Sequence, residues 1–278
     1  ILAAGGDGTS VALLNAMRHR DPENHPFPTI GILPLGTGNA WARCSGARKL
    51  GIAVRSLQRA KTFPLPTRRF GLVDVEGGLA TFVGSGWDAQ VLNDYKNQLD
   101  QSRGLGKPVA KSVYGYLSAM LFRTAPKTIA FGRPHLLIEN LGDEVFTVTP
   151  SGRVVPLEGA KHGTVLYDGP MSVCGAASVP EYGYGFRAYP FAERFLGMLN
   201  ARVYDQKALA AIRDIPKIWR GQHPLIGMRD LFTSGVRMTF SRPMPLQIAG
   251  DAVGDRLSID LRLAKRQVEV IDFRSLSI

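Results

Sequence analysis

Long apolar runs, cysteines and acidic residues are all scarce in this chain. No stretch of 18 or more apolar residues occurs, which excludes a helix that crosses a bilayer within these residues. The first residues also lack the basic-then-apolar pattern of a secretion signal, so any contact with lipid is expected to be peripheral. Cys44 and Cys174 are the only cysteines; they stand far apart without metal-ligand spacing, which suits thiols in a reducing, cytoplasmic setting. Acidic residues number 23 against 34 Lys and Arg, a net charge of +11 with a pI near 9.9. That excess calls for an anionic partner (nucleotide phosphates, an anionic membrane surface or nucleic acid), unless the cations are simply scattered in water. Helix-turn-helix, zinc-finger and ribonucleoprotein-type aromatic motifs are missing, so nucleic acid is not expected.

What is present is enough for a sizeable core: 278 residues, 45% hydrophobic and 21% charged, a length that suits two domains. The chain is organised around Gly5-Gly6-Asp7-Gly8-Thr9. Four apolar residues lead into it and a run with helical spacing (Val11, Leu14, Asn15, Arg18) leads out, which puts the glycines at a strand-to-helix junction. Such a junction aims backbone amides and a helix N-terminus at an anion, and glycine lets the anion approach the main chain. Asp7 would repel a phosphate unless a divalent cation bridged the two, so it reads as a link to Mg²⁺ on a nucleotide. A plain Gly-Asp-Gly surface turn is the other reading of these residues taken alone.

A second unit follows. Thr29 to Leu33 reads as a buried strand, Pro34-Leu35-Gly36-Thr37-Gly38-Asn39 as a loop, and Ala40 to Arg43 as the start of a helix. Two such units place both loops at the carboxyl edge of a parallel sheet, where open α/β sheets bind ligands. Neither loop is a Walker A motif or a dinucleotide fingerprint. GGDGT followed by PLGTGN resembles the catalytic domain of diacylglycerol kinases and related bacterial lipid kinases. GGDGT alone is shared with NAD kinases and phosphofructokinases.

The fold class expected is an α/β nucleotide-binding domain, Rossmann-like and N-terminally incomplete, followed by a β-rich sandwich or barrel. The chain opens at Ile1 inside an interior strand, and the resemblance implies earlier strand–helix units, so the sequence is expected to be a fragment or to carry a misplaced start. A helix is predicted over 47–60, ended by Phe63-Pro64-Leu65-Pro66, which sets a boundary between domains 1–65 and 66–278. The last strands are candidates for a return to the first domain. Beyond the boundary, Arg69 to Val83 reads as a hairpin about Glu76-Gly77-Gly78. Gly84-Ser85-Gly86-Trp87-Asp88-Ala89 resembles the lipid kinase pattern Gly-x-Gly-Phe-Asp-Ala and opens a helix to about Leu99; on the residues alone it is equally a helix start capped by Ser85 or Asp88. A basic loop is expected over 101–111, a helix over 112–123, and short strands from 127 to 189. In that last region Tyr182-Gly183-Tyr184-Gly185-Phe186 suits either an acyl-chain pocket or a sheet with close backbone contacts. Asp205 to Arg220 has helical spacing, with Leu209 among its apolar residues, Pro216 expected to kink or end it, and Lys207, Arg213, Lys217 and Arg220 on a basic face. Strands are predicted at 235–240, 246–248, 257–263 and 268–273.

The resemblance implies an ATP-dependent lipid kinase that uses ATP and Mg²⁺ on a lipid substrate and sits peripherally at an anionic membrane surface. ATP would lie across Gly5, Gly6, Asp7, Gly8 and Thr9 and across Gly36, Thr37, Gly38 and Asn39, with Mg²⁺ near Asp7. The family usually carries Asp-Gly-Glu near the C-terminus, with the acidic group as general base on the lipid hydroxyl; Ala249-Gly250-Asp251 stands there. Asp251 is thus the candidate base, one methylene shorter than Glu. Asn39 is followed by Ala40 where the family often has Asp, and Phe195 to Met198 replaces an Asp-Gly pair tied to a structural Mg²⁺. Two alternatives stay open: a nucleotide- or lipid-binding relative with little catalysis, and a soluble-substrate kinase such as NAD kinase.

Overall fold

The structure is a computed structural model that describes residues 1–21, 25–36, 38–61, 63–87, 89–92 and 132–276. Thr37, Asp88, most of the helix expected to reach Leu99, the loop over 101–111 and the helix over 112–123 lie outside the described residues.

The chain opens with β1 (Leu2–Gly5), α1 (Asp7–Arg20) and β2 (Gly31–Pro34), and β1 and β2 pair in parallel with Leu2 opposite Gly31 and Gly5 opposite Pro34. Helix α1 carries Asp7 in its first turn and Arg18, His19 and Arg20 in its last, charges that complement its dipole. Its buried residues Ser10, Val11 and Leu14 face the core. Two short helices follow, α2 (Ala40–Cys44) and α3 (Leu50–Arg59), and then β3 (Thr67–Phe70). The expected helix over 47–60 begins three residues later than the pattern suggests, because Lys49 is extended (ψ 133°).

A β-rich unit comes next. In chain order it contains β4 (Val73–Val75), β5 (Gly78–Ala80), β6 (Phe82–Gly86), β7 (His135–Asn140), β8 (Phe146–Val148), β9 (Val154–Pro156), β10 (Val165–Pro170), β11 (Val173–Ala177) and β12 (Leu199–Tyr204). Helix α4 (Ala208–Trp219) interrupts it before β13 (Met228–Thr233), β14 (Gly235–Ile248) and β15 (Asp251–Leu263). Twelve strands join in one sheet that curls into a half-barrel, in the order β5-β4-β15-β14-β6-β11-β12-β13-β8-β9, with β7 added along β14 and β10 along β7. One edge of β14 pairs with β7 over 236–240 and with β6 over 246–248, and the other pairs with β15. The final strand β16 (Val268–Ile271) pairs with β3, and its neighbourhood reaches β2 through Ile30, whose amide donates to Glu269 O at 2.9 Å. Ala3, Leu14, Ile32, Trp41, Phe70 and Val270 share one buried cluster, so β3 and β16 complete the core around the parallel pair.

Three local expectations change. The strands expected at 235–240 and 246–248 are one strand, and the pairing with β15 shifts register between Thr239 and Met244 and again between Pro245 and Gln247. Pro243 and Pro245 cannot donate to the ladder, so the strand passes them with irregular pairing instead of ending. Helix α4 runs through Pro216 to Trp219, where the residue pattern allowed it to stop. Gly84-Ser85-Gly86 is the buried end of β6 rather than a cap: Ser85 donates its hydroxyl to Pro245 O at 2.9 Å, and helical residues begin only at Trp87.

Candidate functional site

The two glycine loops meet at the carboxyl ends of β1 and β2. Gly5 closes β1, Gly6 is the extended residue before α1, and Asp7, Gly8 and Thr9 form its first turn. Thr9 and Ser10 donate their amides back to Gly6 O at 3.1 and 3.3 Å, and Gly8 faces open space: a Cβ there would meet nothing within 4 Å. An exposed glycine on the first turn of a 14-residue helix is suited to an anion, which the helix dipole and early amides attract.

In the second loop Asn39 adopts the left-handed conformation (φ 48°) and folds its side chain back on Gly36, accepting the Gly36 amide at 3.0 Å and donating to the Gly36 carbonyl. The loops then touch backbone to backbone. A Cβ on Gly36 would lie 2.2 Å from Gly6 Cα and 2.7 Å from Gly6 N, closer than any side-chain adjustment can relieve. Gly36→Ala is therefore expected to cost about 1–3 kcal/mol, as overpacking does, and to lower the thermal midpoint measurably; an unchanged midpoint would show that the loops separate easily.

Asp7 joins the loops through its carboxylate. Oδ2 accepts the Ala40 amide at 2.9 Å and Oδ1 accepts the Trp41 amide at 2.8 Å, so a side chain from α1 caps the N-terminus of α2. Desolvation lifts the Asp7 carboxyl above the ordinary aspartate value, while the Trp41 and Ala40 amides pull it down. Gly38 packs between Asp7 and Gly183, and Tyr184 donates its amide to Gly38 O at 3.2 Å, which brings the glycine-aromatic segment against the second loop. Arg43 pairs with Glu181 at 2.9 Å beside it.

Three walls border an open cavity of about 380 Å³ in front of the first loop. One is α1, through Gly8, Val11, Ala12 and Asn15; the second is the β4–β5 hairpin around Glu76; the third is the turn from β14 to β15, with Ala249 and Asp251. Gly8 and Asp251, 243 positions apart in sequence, thus line one space. Gly36, Gly38 and Asn39 do not line it: Gly36 packs on Gly6, Asn39 folds back on Gly36, and Gly38 faces Tyr182 and Gly183.

The third wall is a two-residue hairpin. Ile248 pairs with Asp251, and Ala249 (φ 50°) and Gly250 (φ 89°) both take positive φ, the geometry that prefers Asn-Gly or Asp-Gly. Alanine pays about 1 kcal/mol or more there. Ala249→Asn should raise stability by roughly 0.5–1 kcal/mol in denaturant unfolding, and a loss of stability would show that Ala249 is held by a contact that Asn cannot keep. Ala249 N donates to Phe82 O at 3.0 Å and Gly250 N to Gln247 Oε1 at 2.9 Å, so the turn that presents Asp251 is tied down.

Contacts that sequence reasoning did not find hold these walls together. Asn15 Nδ2 donates to Leu79 O at 2.9 Å and Leu79 N donates to Asn15 Oδ1 at 2.7 Å, while Arg18 pairs with Asp74 at 2.8 Å. Both residues stand at core-facing positions of an apolar period, and polar groups on that face were the available signal. Glu76 lines the cavity as a second carboxylate, and a two-point pair with Arg256 (2.5 and 2.9 Å) holds its carboxyl below the usual value, hence ionised. No three His, Cys, Asp or Glu side chains among the described residues cluster to hold a metal ion. No described helix is long and apolar enough to cross a membrane.

Residues 1–65 match the diacylglycerol kinase catalytic domain family. The resemblance read from GGDGT and PLGTGN is borne out over that stretch. The eye-specific diacylglycerol kinase of Drosophila melanogaster is 48% identical over 46 residues, 16% of this chain and 3% of that protein. The probable lipid kinase YegS-like of Stenotrophomonas maltophilia (strain K279a) is 39% identical over 46 residues, 16% of this chain and 15% of that protein. These alignments thus span a small part of either relative. A diacylglycerol kinase from Bacillus anthracis str. Sterne superposes with a TM-score of 0.62 at 16% identity, over 98% of this chain and 77% of that chain. At that identity the likeness is one of fold, and it extends the diacylglycerol kinase-type architecture, an α/β unit followed by a β-rich unit, beyond the matched residues.

Proposed function

We propose that the protein is an ATP-dependent lipid kinase, which phosphorylates the hydroxyl of diacylglycerol or a similar lipid at a membrane surface. The observation that carries this reading is the single cavity lined by Gly8, on the phosphate-type loop, and by Asp251, an exposed carboxylate on a hairpin. In this reading the first-turn amides of α1 hold the phosphates, and Asp251 orients or deprotonates the acceptor hydroxyl for in-line attack. Glu76 stays ionised through its pair with Arg256. Asp7 sets the two loops relative to one another. Its carboxylate retains lone pairs beyond those given to Ala40 and Trp41, so a Mg²⁺ carried by the nucleotide has one carboxylate to meet and no protein cage. Such an ion would neutralise phosphate charge.

An apolar cavity of about 100 Å³ supports a lipid acceptor over a soluble one. Trp87, Tyr182, Phe186, Tyr204, Ile215 and Trp219 are among its walls. Trp87 follows β6 directly, four residues beyond Val83, which pairs with Ile248 next to the Asp251 turn; that is roughly 13 Å of extended strand. A binding relative with little catalysis is the second reading, favoured by the absence of the second glycine loop from the Asp251 cavity. Labelled ATP offered to the natural full-length protein with lipid alcohols, soluble alcohols and NAD separates these readings. Transfer to lipid alone is the expected result; transfer to NAD or to nothing would overturn it.

A further inference from the structure

Helix α4 presents two different faces. Ala211, Ile215, Ile218 and Trp219 turn inward and help to wall the apolar cavity. The opposite stripe, Leu209, Arg213, Pro216, Lys217 and Arg220, falls at i, i+4, i+7, i+8 and i+11 and is exposed along its whole length. Leu209 is 75% exposed, although the residue pattern alone assigned it to the buried side, and Ile226 is 78% exposed. Ile226 belongs beside the first turn of α4: Asp205 N donates to the carbonyl of the adjoining Gly227 at 2.9 Å. Two of the three most exposed large hydrophobics among the described residues thus stand at one end of α4, ahead of a row of cations.

The charge around that face is mostly of one sign. Lys207, Arg213, Lys217 and Arg220 are exposed on or beside the helix, and Arg187 joins them at its C-terminal end, where its amide donates to Trp219 O at 3.0 Å. Against them stand Asp205, half-buried, and Asp214, which is 2% exposed and takes Tyr204, Arg213 and Lys217 as partners. Asp214 therefore fixes the inner ends of two cations without offering its charge to solvent.

We propose that this face, Leu209 and Ile226 with Lys207, Arg187 and Arg220, is where the protein docks on an anionic lipid bilayer. Exposed apolar side chains flanked by cations match an interface whose headgroups are negative and whose interior is hydrocarbon. A protein partner offers no comparable reason for two isolated aliphatic tips at the start of a basic helix. The inference rests on the lipid-kinase reading only in that docking here puts the inward face of α4, and the cavity it walls, next to the source of the substrate.

Sedimentation of the natural full-length protein with phosphatidylcholine vesicles, with and without phosphatidylglycerol, at low and high salt, tests the proposal. Wild type is expected to bind in proportion to the anionic lipid and to release with salt. Lys207→Gln with Arg220→Gln should weaken binding roughly 25-fold, at about fivefold per cation near the surface. Leu209→Ser with Ile226→Ser should weaken it about tenfold or more while keeping the preference for anionic lipid. All four positions are exposed and make no contact with Asp214, so thermal midpoints should stay unchanged. Wild-type binding that ignores lipid charge, or variants that bind like wild type, would overturn the proposal. So would a shift from dimer to monomer caused by the serine pair with vesicle binding intact, since the face would then join copies of the chain. Phosphorylation of a monomeric short-chain diacylglycerol by the same proteins tests the kinase reading separately. If it persists in wild type while the vesicle result fails, only the docking face is lost; if it is absent while vesicle binding behaves as expected, only the kinase reading is lost.

Discussion

Asp251→Ala is expected to lower lipid phosphorylation by roughly 10²- to 10⁴-fold, the usual effect of removing a positioned base. The substitution acts on an exposed residue at the first position of β15, where the backbone pairing with Ile248 does not depend on the side chain. The fold should therefore persist, and a thermal midpoint measured alongside keeps a loss of activity interpretable. Asp251→Glu extends the carboxylate by one methylene into a cavity of about 380 Å³ and should preserve or raise activity. If the protein binds without catalysing, wild type and Asp251→Ala will be equally inactive, and Ala249→Asp combined with Asp251→Glu becomes the informative variant. Robust activity that survives Asp251→Ala would remove Asp251 as the base and turn attention to Glu76, the other carboxylate on the cavity wall.

Asp7→Asn is expected to act on stability and on nucleotide binding together. The carboxylate accepts two amides with two oxygens, whereas an asparagine has one oxygen and an NH₂ group that would confront the second amide. Leaving a half-buried donor unsatisfied costs about 1–3 kcal/mol, so a loss near 2 kcal/mol in denaturant unfolding is expected. Because Asp7 also sets the two loops, Mg·ATP affinity or turnover should fall roughly tenfold or more, as read by calorimetry and assay. Equal stability and equal affinity would show that Asp7 neither links the loops nor belongs to the site. The pH dependence has a definite sign. Burial raises the Asp7 carboxyl above its unfolded value of 3.8, so the folded protein holds that proton more tightly than the unfolded chain. The stability from this group is full below the unfolded value and is lost as pH rises through the folded one. Asp7→Asn should flatten that part of the stability profile, and a difference curve between wild type and variant would show it.

Some of the site could be read from local chemistry. Gly5-Gly6-Asp7-Gly8-Thr9 and Gly36 to Asn39 each announce a loop because the conformation they need is a property of a few adjacent residues, and the structure puts those described at strand ends beside helix starts. The hairpin about Glu76-Gly77 was legible for the same reason: both residues take positive φ. Readings failed where a residue's environment is assembled from elsewhere. Leu209 fits an apolar helical period, yet nothing covers that side of α4 among the described residues, so it is exposed. Ser85 has the look of a helix cap, yet β14 lies close enough for it to bond Pro245 O.

By itself, then, the sequence determined the two glycine loops, the parallel strand pair they follow, the β-rich character of the second unit and the excess of positive charge. These depend on backbone preference, hydrophobic period and composition, all of which act over short stretches of chain. Only the tertiary structure decided that Gly8 and Asp251 line one cavity, that Asp7 caps α2, that Glu76 pairs with Arg256 and that α4 shows its cations and Leu209 outward. The cavity joins residues brought together by the twelve-stranded sheet and by the packing of α1 on β5, whereas the cap on α2 follows from the parallel pairing of β1 with β2. Contacts of that kind depend on how whole elements pack, and no local pattern in the chain encodes which distant group will stand opposite.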